Sequence, residues 1–373
     1  MDSSRWLRSF ILNCLDENEH QQMNVTDTPN AVRHIASANR VTLAQLVVAL
    51  TLLALLVIVL AVIATAVGSE HVSLASISKI IIAGITGRSA DVTPEQQIII
   101  AEIRLPRVLM AVVVGGALSV AGAAYQALLR NPLADPYILG VSTGAAVGAI
   151  VSTVFAESIP VGRPLAAFIG AVLTITAVYA LGQGRRGEAS ERLILAGVIT
   201  NTFLSSIVIF MLTAASGSRL RSIFSWLIGD LSGEPRLLGL VTVFVMAGIV
   251  VIYMNARALN LLMTGEEEAV ALGVEVRRVK ITVYLAASLI TGAAVAVSGV
   301  IGFVGLVIPH AIRLVGGSDN RLVIPASALA GGALLLAADT VARTIIAPRE
   351  LHIGVISALI GGPVFIYLLR RTS

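Results

Sequence analysis

TLAQLVVALTLLALLVIVLAVIATAV, residues 42–67, contains no charged residue. A bilayer core roughly 30 Å thick takes about 20 apolar residues of α-helix to cross, so this stretch reads as a membrane span. Downstream, long apolar runs keep alternating with short polar ones. They predict nine more spans, at roughly 106–129, 138–157, 164–182, 193–214, 237–255, 279–299, 300–316, 322–343 and 352–369. The apolar run hardly pauses at Gly299–Gly302, so the division between spans seven and eight is the weakest of the set. The expected fold class is all-α and integral to the membrane, with ten transmembrane helices. Five helices per half would turn the second half over relative to the first, an inverted five-plus-five arrangement. Gly116-Ala117 in span two and Gly292-Ala293 in span seven begin loosely similar small-residue runs.

Composition agrees. Of the 373 residues 56% are hydrophobic and 13% charged, and the mean hydropathy is +0.90. A soluble domain carries about 25% charged residues, so this chain needs lipid as part of its solvent. The 33 glycines fit close helix–helix approach. The net charge of +4 comes without a basic run or an aromatic platform, which argues against nucleic acid as a partner. The single cysteine, Cys14, excludes an intrachain disulfide and a cysteine-based metal site.

Residues 1–40 differ from residues 41–373 and read as a separate N-terminal extension. Trp6, Leu7, Phe10, Ile11, Cys14 and Leu15 share one helical face, which fits a helix lying on the membrane surface. A disordered tail and a translation start at Met23 fit as well.

Placing both termini in the cytoplasm puts Arg130, Arg185, Arg186, Arg192, Arg257, Arg277, Arg278, Lys280, Arg313, Arg321, Arg370 and Arg371 inside, as the positive-inside rule asks. Arg104, Arg107 and Arg343 then fall on the opposite face and break the rule, which marks them as candidates for a specific task.

The chemistry that is missing is as informative. A phosphate-binding loop needs a Gly-Lys pair, and the only lysines are Lys79 and Lys280. The chain is therefore not an ATPase, and no cofactor is expected. Ion-coupled transporters carry acids within the membrane. Here the main one is Asp339, one helical turn before Arg343, which reads as a helical ion pair. Gly140-Val141-Ser142-Thr143-Gly144 fits the hydrolase pattern GxSxG, but that motif requires a strand, a sharp turn and a helix, whereas this one opens a span. No two histidines stand at i, i+4, so no metal site is expected. His310 reads as a hydrogen-bonding residue at a helix end. His71 and His352 are placed outside, in reach of a large ligand. Between spans six and seven, Gly265, Glu266, Glu267, Glu268, Ala269, Leu272 and Gly273 belong to a short helix. Acids occupy its first turn and Gly273 supplies its C-cap. It reads as a solvated loop helix or as a docking helix for a partner.

Several motifs in order resemble one family. They are Arg104-Leu105-Pro106-Arg107, Gly115-Gly116-Ala117-Leu118, Asn131-Pro132-Leu133-Ala134-Asp135-Pro136, Leu139-Gly140-Val141-Ser142, and Gly302-Phe303-Val304-Gly305-Leu306-Val307-Ile308-Pro309-His310 with Arg313, Asp319 and Arg321. Ile353-Gly354-Val355-Ile356 and Gly362-Pro363-Val364-Phe365-Ile366 complete the set. Over about residues 42–370 the chain resembles the FecCD permeases of type II ABC importers for ferric siderophores, haem and cobalamin. The resemblance implies ten helices, a second permease subunit (a homodimer, with a paired heterodimer as the alternative), two ATPase subunits and a periplasmic or lipid-anchored substrate-binding protein. It implies the bacterial inner membrane, and a ferric siderophore as first choice of substrate ahead of haem and cobalamin. It further implies docking of the binding protein at Arg104, Arg107 and Arg343, and coupling to the ATPase through Gly265–Gly273. The cytoplasmic gate would form at Asn131 and Leu133 and at Ser190 and Glu191, although Glu191 stands where the family has a small hydroxyl residue.

Overall fold

The computed structural model describes residues 42–68, 72–86, 92–155, 162–182, 189–215, 217–233, 235–347 and 349–372. Residues 1–40, and with them Cys14, His20 and His34, lie outside the described residues, as does His71.

Every stretch read as a span is a helix, and no strand occurs among the described residues. The ten are α1 (Leu43–Ala66), α4 (Leu105–Leu128), α5 (Val141–Val154), α6 (Arg163–Gly182), α7 (Ala189–Ala214), α9 (Leu238–Met254), α12 (Val276–Ser298), α13 (Val304–Gly316), α14 (Asn320–Thr344) and α15 (Ile353–Thr372). Five shorter helices lie between them: α2 (Leu74–Thr86), α3 (Pro94–Ile98), α8 (Gly217–Ile228), α10 (Ala256–Thr264) and α11 (Glu266–Ala271). Of these, only α11 was expected from the sequence. Seven helical segments are long and apolar enough to cross a membrane, while α5, α13 and α15 are shorter apolar helices.

The buried centre is α4. Its positions from Val114 to Leu128 are all buried, and α12, α13 and α14 pack around it. Small residues make this possible. A Cβ on Gly122 would collide with the Gly305 carbonyl, and one on Gly115 with the Gly331 carbonyl. Lipid offers no hydrophobic drive to associate helices, so close backbone approach supplies the packing instead.

The packing repeats under a shift of five spans. The second span α4 packs on the ninth, α14, and the seventh span α12 packs on the fourth, α6. The pairs α5–α6 and α13–α14, α4–α13 and α12–α5, α6–α7 and α14–α15 correspond in the same way. The two glycines that opened similar runs in the sequence sit at equivalent crossings. A Cβ on Gly116 would lie 3.1 Å from the Ala328 carbonyl in α14, and one on Gly292 3.0 Å from Ala171 in α6. An inverted five-plus-five bundle has this pattern.

The third helix of each half is short for one reason: it begins inside the bundle. Gly140, just before α5, faces Thr174 about half-way along α6, and Gly305, at the start of α13, faces Leu118 in mid-α4. The break at Gly299–Phe303, doubtful in the sequence, is real. Gly299 has φ +67 and Phe303 φ +70. Irregular backbone at this depth needs internal hydrogen-bond partners. Tyr137 provides them: its hydroxyl donates to the Ile301 carbonyl at 2.9 Å and accepts from the Ile301 amide at 3.2 Å. The segments preceding the two short helices thus hold each other.

Candidate functional site

The sequence candidates gather at two ends of the bundle, separated by α4, whose 24 residues span about 36 Å. At the first end a π-helical turn, Ile99–Arg104, leads into α4, with Pro106 in its first turn. This geometry aims Arg104 and Arg107 at different neighbours. Arg104 Nη1 donates to the carbonyls of Thr65 at 2.9 Å and Ala66 at 3.3 Å. Arg343 Nη2 donates to the Ala64 carbonyl at 3.1 Å. These are the last carbonyls of α1, which no intrahelical amide can reach, and they carry the negative end of the helix dipole.

Arg107 takes two carboxylates. Its Nε donates to Asp339 Oδ1 at 3.0 Å and its Nη1 to Glu350 Oε2 at 2.8 Å. Asp339 Oδ2 also pairs with Arg343 Nε at 3.0 Å. The helical ion pair expected from the sequence is present, and Arg107 enlarges it. All three arginines are buried, and Asp339 is 0% exposed. The Glu350 side chain, in contrast, is 52% exposed. Asp339 is confined between two cations, so it belongs to a fixed network and shows no sign of an ion-carrying role. A cavity of about 90 Å³ lies beside it, between residues 229–232 and 350–353, with Arg107 on its wall. His352 also lines it.

Arginine is not rare at this end. Arg349 adjoins Glu350, and Arg163 reaches toward Gly233. What distinguishes Arg104, Arg107 and Arg343 is burial, a property the charge count could not reveal.

The opposite end holds the short helix α11. Its C-terminus is a Schellman motif. The Val274 amide donates to the Ala269 carbonyl and the Gly273 amide to the Val270 carbonyl, both at 2.9 Å, with Gly273 at φ +83. The C-cap expected from the sequence is there. Ala269 is buried, and Glu266 forms an ion pair with Lys280 of α12. Val270 and Leu272 are 55% and 65% exposed, so the helix presents an apolar surface away from its own bundle.

Beside α11 lies a polar node that the sequence reading missed. Asn260 of α10 donates to Asp319 Oδ1 at 2.7 Å and accepts from the Asn320 amide at 2.8 Å and from Asn320 Nδ2 at 2.9 Å. Arg313 joins Asn320 Oδ1 at 3.0 Å to the Ala123 carbonyl of α4 at 3.2 Å. Burial works to raise the Asp319 carboxyl, but hydrogen bonds from Arg321 and Asn260 outweigh it and hold the group at about 2. Asp319 and Arg313 were visible as motif residues. Asn260 carried no signal, because an asparagine in a short loop helix is ordinary.

The remaining candidates sit as follows. Asn131 and Leu133 are exposed in the loop after α4, where Asn131 Oδ1 accepts from the Leu133 amide at 2.8 Å. Ser190 and Glu191 fall in the first turn of α7, with side chains outside the described residues. Ser142 is buried in the first turn of α5, preceded by a 3-10 turn where a nucleophile elbow would need a strand. His310 is a correction. It lies within α13, buried, its ring edge-on to Phe365 at 6.3 Å, and not at a helix end. Pro309 beside it also lies inside the helix, where its missing amide is tolerated by packing.

The described residues form an all-helical bundle with seven segments long and apolar enough to cross a membrane, and its packing repeats under a shift of five spans. The chain belongs to the FecCD transport family, whose profile matches residues 36–371. It is 44% identical over 275 residues to the cobalamin import system permease protein BtuC of Halobacterium salinarum, covering 74% of each chain. It is 42% identical over 275 residues to the hemin transport system permease protein HmuU of Yersinia pestis, covering 72% of this chain and 82% of that one. A solved structure assigned to the metal-chelate type of ABC transporter, in an inward-facing conformation, superposes with a TM-score of 0.76 at 30% identity. The match covers 86% of this chain and 98% of that one. The protein is thus an ABC transporter permease, of a family whose ATPase activity lies in a separate subunit.

Proposed function

We propose that this chain is the permease of an importer that carries an iron chelate, a ferric siderophore first, into the cytoplasm across the bacterial inner membrane. Membership of the FecCD family carries this reading, and the likeness to a metal-chelate type transporter supports the chelate. The chain works as a homodimer, with the pathway between the copies, two ATPase subunits on the cytoplasmic side and a substrate-binding protein on the other. Both termini face the cytoplasm.

In this arrangement Arg104, Arg107 and Arg343 mark the outer rim where the binding protein docks. The helix within Gly265–Gly273 couples to the ATPase: Val270 and Leu272 enter its groove, and Glu266–Lys280 passes displacement to α12. Asn131 and Leu133, with Ser190 and Glu191, form the inner gate. ATP closes the ATPase pair, the coupling helices follow, and the bundles tilt between outward and inward states.

Reconstituted with its ATPase and binding protein in liposomes, the chain should import a radiolabelled ferric siderophore only with ATP. An ATPase-dead partner should stop it. Uptake that persists with the dead partner would show a secondary transporter. ATP-dependent uptake of haem or cobalamin but no siderophore would move the substrate to the compounds for which the two relatives are named.

A further inference from the structure

Arg107 is held by two carboxylates of opposite character. Asp339 is inside the bundle, shared with Arg343, and part of the fixed frame. Glu350 comes from the link between α14 and α15 and is half-exposed. Arg107 itself is buried, and the cavity beside it is walled by the same Glu350. A carboxylate arriving from outside therefore meets Arg107 where Glu350 already sits.

We propose that Glu350 is an internal stand-in for a carboxylate of the docking protein, seated on Arg107 in the free permease and displaced when an acidic side chain enters the adjoining cavity. This rests on the docking role proposed above for the arginine end and adds a mechanism to it. The exchange conserves ion pairs. Arg107 keeps two carboxylates throughout, so its buried charge is never left uncompensated. Glu350 returns to water at small cost because it is already half-solvated. Docking built on such an exchange is specific for an acidic partner yet easily reversed.

Release of Glu350 has an address within the bundle. The Leu351 amide is tied to the Ala342 carbonyl at 2.9 Å, and two residues later α15 begins. Gly354 of α15 abuts the Ile228 carbonyl at the end of α8 and lies close to the Val300 carbonyl in the break before α13. A shift of residues 350–353 thus reaches the end of α8 and the irregular break before α13.

The test uses the full assembled transporter in nanodiscs and, as probe, the solute-binding protein that stimulates its ATPase. Glu350→Asp keeps the charge and withdraws the carboxylate by one methylene, so it separates seat occupancy from simple repulsion of an acidic partner. Both Glu350→Asp and Glu350→Gln should tighten docking, the latter by about threefold to fivefold, the scale of a half-exposed ion pair. Arg107→Gln should weaken docking and abolish the gain from Glu350→Gln. If Arg107→Gln weakens docking while neither Glu350 variant tightens it, the stand-in is wrong and the docking role survives. If only Glu350→Gln tightens it, the residue acts through charge alone and the stand-in is again wrong. If Arg107→Gln leaves docking unchanged, the docking role itself fails. Should Glu350→Gln not assemble, Glu350→Asp alone decides: no tightening overturns the proposal.

Discussion

The two ends of the bundle manage charge in opposite ways. At the arginine end the charged groups are buried, shared and locked: Asp339 serves two arginines, and two arginines finish α1. At the α11 end one ion pair is partly buried, and the helix turns its acids and its apolar residues Val270 and Leu272 outward. The first end ties helices together through buried charge. The second leaves acids and apolar side chains exposed. A positive charge on an unexpected face is therefore not by itself an invitation to a partner, because burial decides whether it is available.

The strongest way to break this contrast is at Asp339. Asp339→Asn leaves Arg107 and Arg343 side by side without the carboxylate they share. Removing one member of a buried charge network costs about 3–5 kcal/mol. The yield of folded protein and its thermal midpoint in detergent should fall sharply. Glu266→Gln at the other end removes a pair with more access to water and should cost about 1 kcal/mol or less. Equal losses at both ends would erase the distinction.

Asn260 sharpens it from the other side. Asn260→Ala leaves Asp319 and the buried Asn320 short of partners, at about 1–3 kcal/mol. The node connects α10, next to α11, with α4 through Arg313 and Ala123. The variant should therefore lower substrate transported per ATP hydrolysed more than it lowers the thermal midpoint. Loss of stability with unchanged stoichiometry would reduce the node to a structural one. Gly273→Val is a smaller, more local change. The position has φ +83 and open space around it, so the cost is the left-handed backbone alone, about 1–2 kcal/mol. ATP hydrolysis should persist while transport falls. Normal coupling in this variant would remove the docking role of α11.

What could be read from the chain depended on how local the signal was. Span positions follow from apolar runs and all ten were legible, including the doubtful pair around Gly299. The Schellman cap of α11 was legible too, since Gly273 and the acids before it are near neighbours in sequence. The arginine network was not. Arg107 meets Asp339 across 232 positions, and no periodicity relates them. Only the Asp339–Arg343 half, four residues apart, could be seen. The inverted repeat showed only as two faint Gly-Ala runs, because contact between backbones asks for small residues and little else. Helices α2, α3, α8 and α10 escaped because they are too short for a span, although Ser73 and Thr93 cap the first two.

Arg104 gives the finest test, because its two readings predict losses in different measurements. It finishes α1 by donating to Thr65 and Ala66, and Arg343 serves the neighbouring Ala64 carbonyl. A cation at a helix C-terminus contributes about 0.3–1 kcal/mol, and here a second arginine remains when the first is lost. Arg104→Gln keeps a side-chain amide donor, so stability should drop by less than about 1 kcal/mol. If Arg104 acts chiefly as a cap, binding-protein affinity should stay as it was, and its salt dependence should be unaltered. If its charge reaches the docking surface, affinity should fall at low salt and the difference should vanish at high salt, since screening acts over roughly 8–10 Å. Geometry favours the cap: the guanidinium is buried and aimed at α1, whereas Arg107 borders the cavity. An affinity loss in Arg104→Gln as large as in Arg107→Gln would mean that docking reads the charge of the whole end and not the single seat on Arg107.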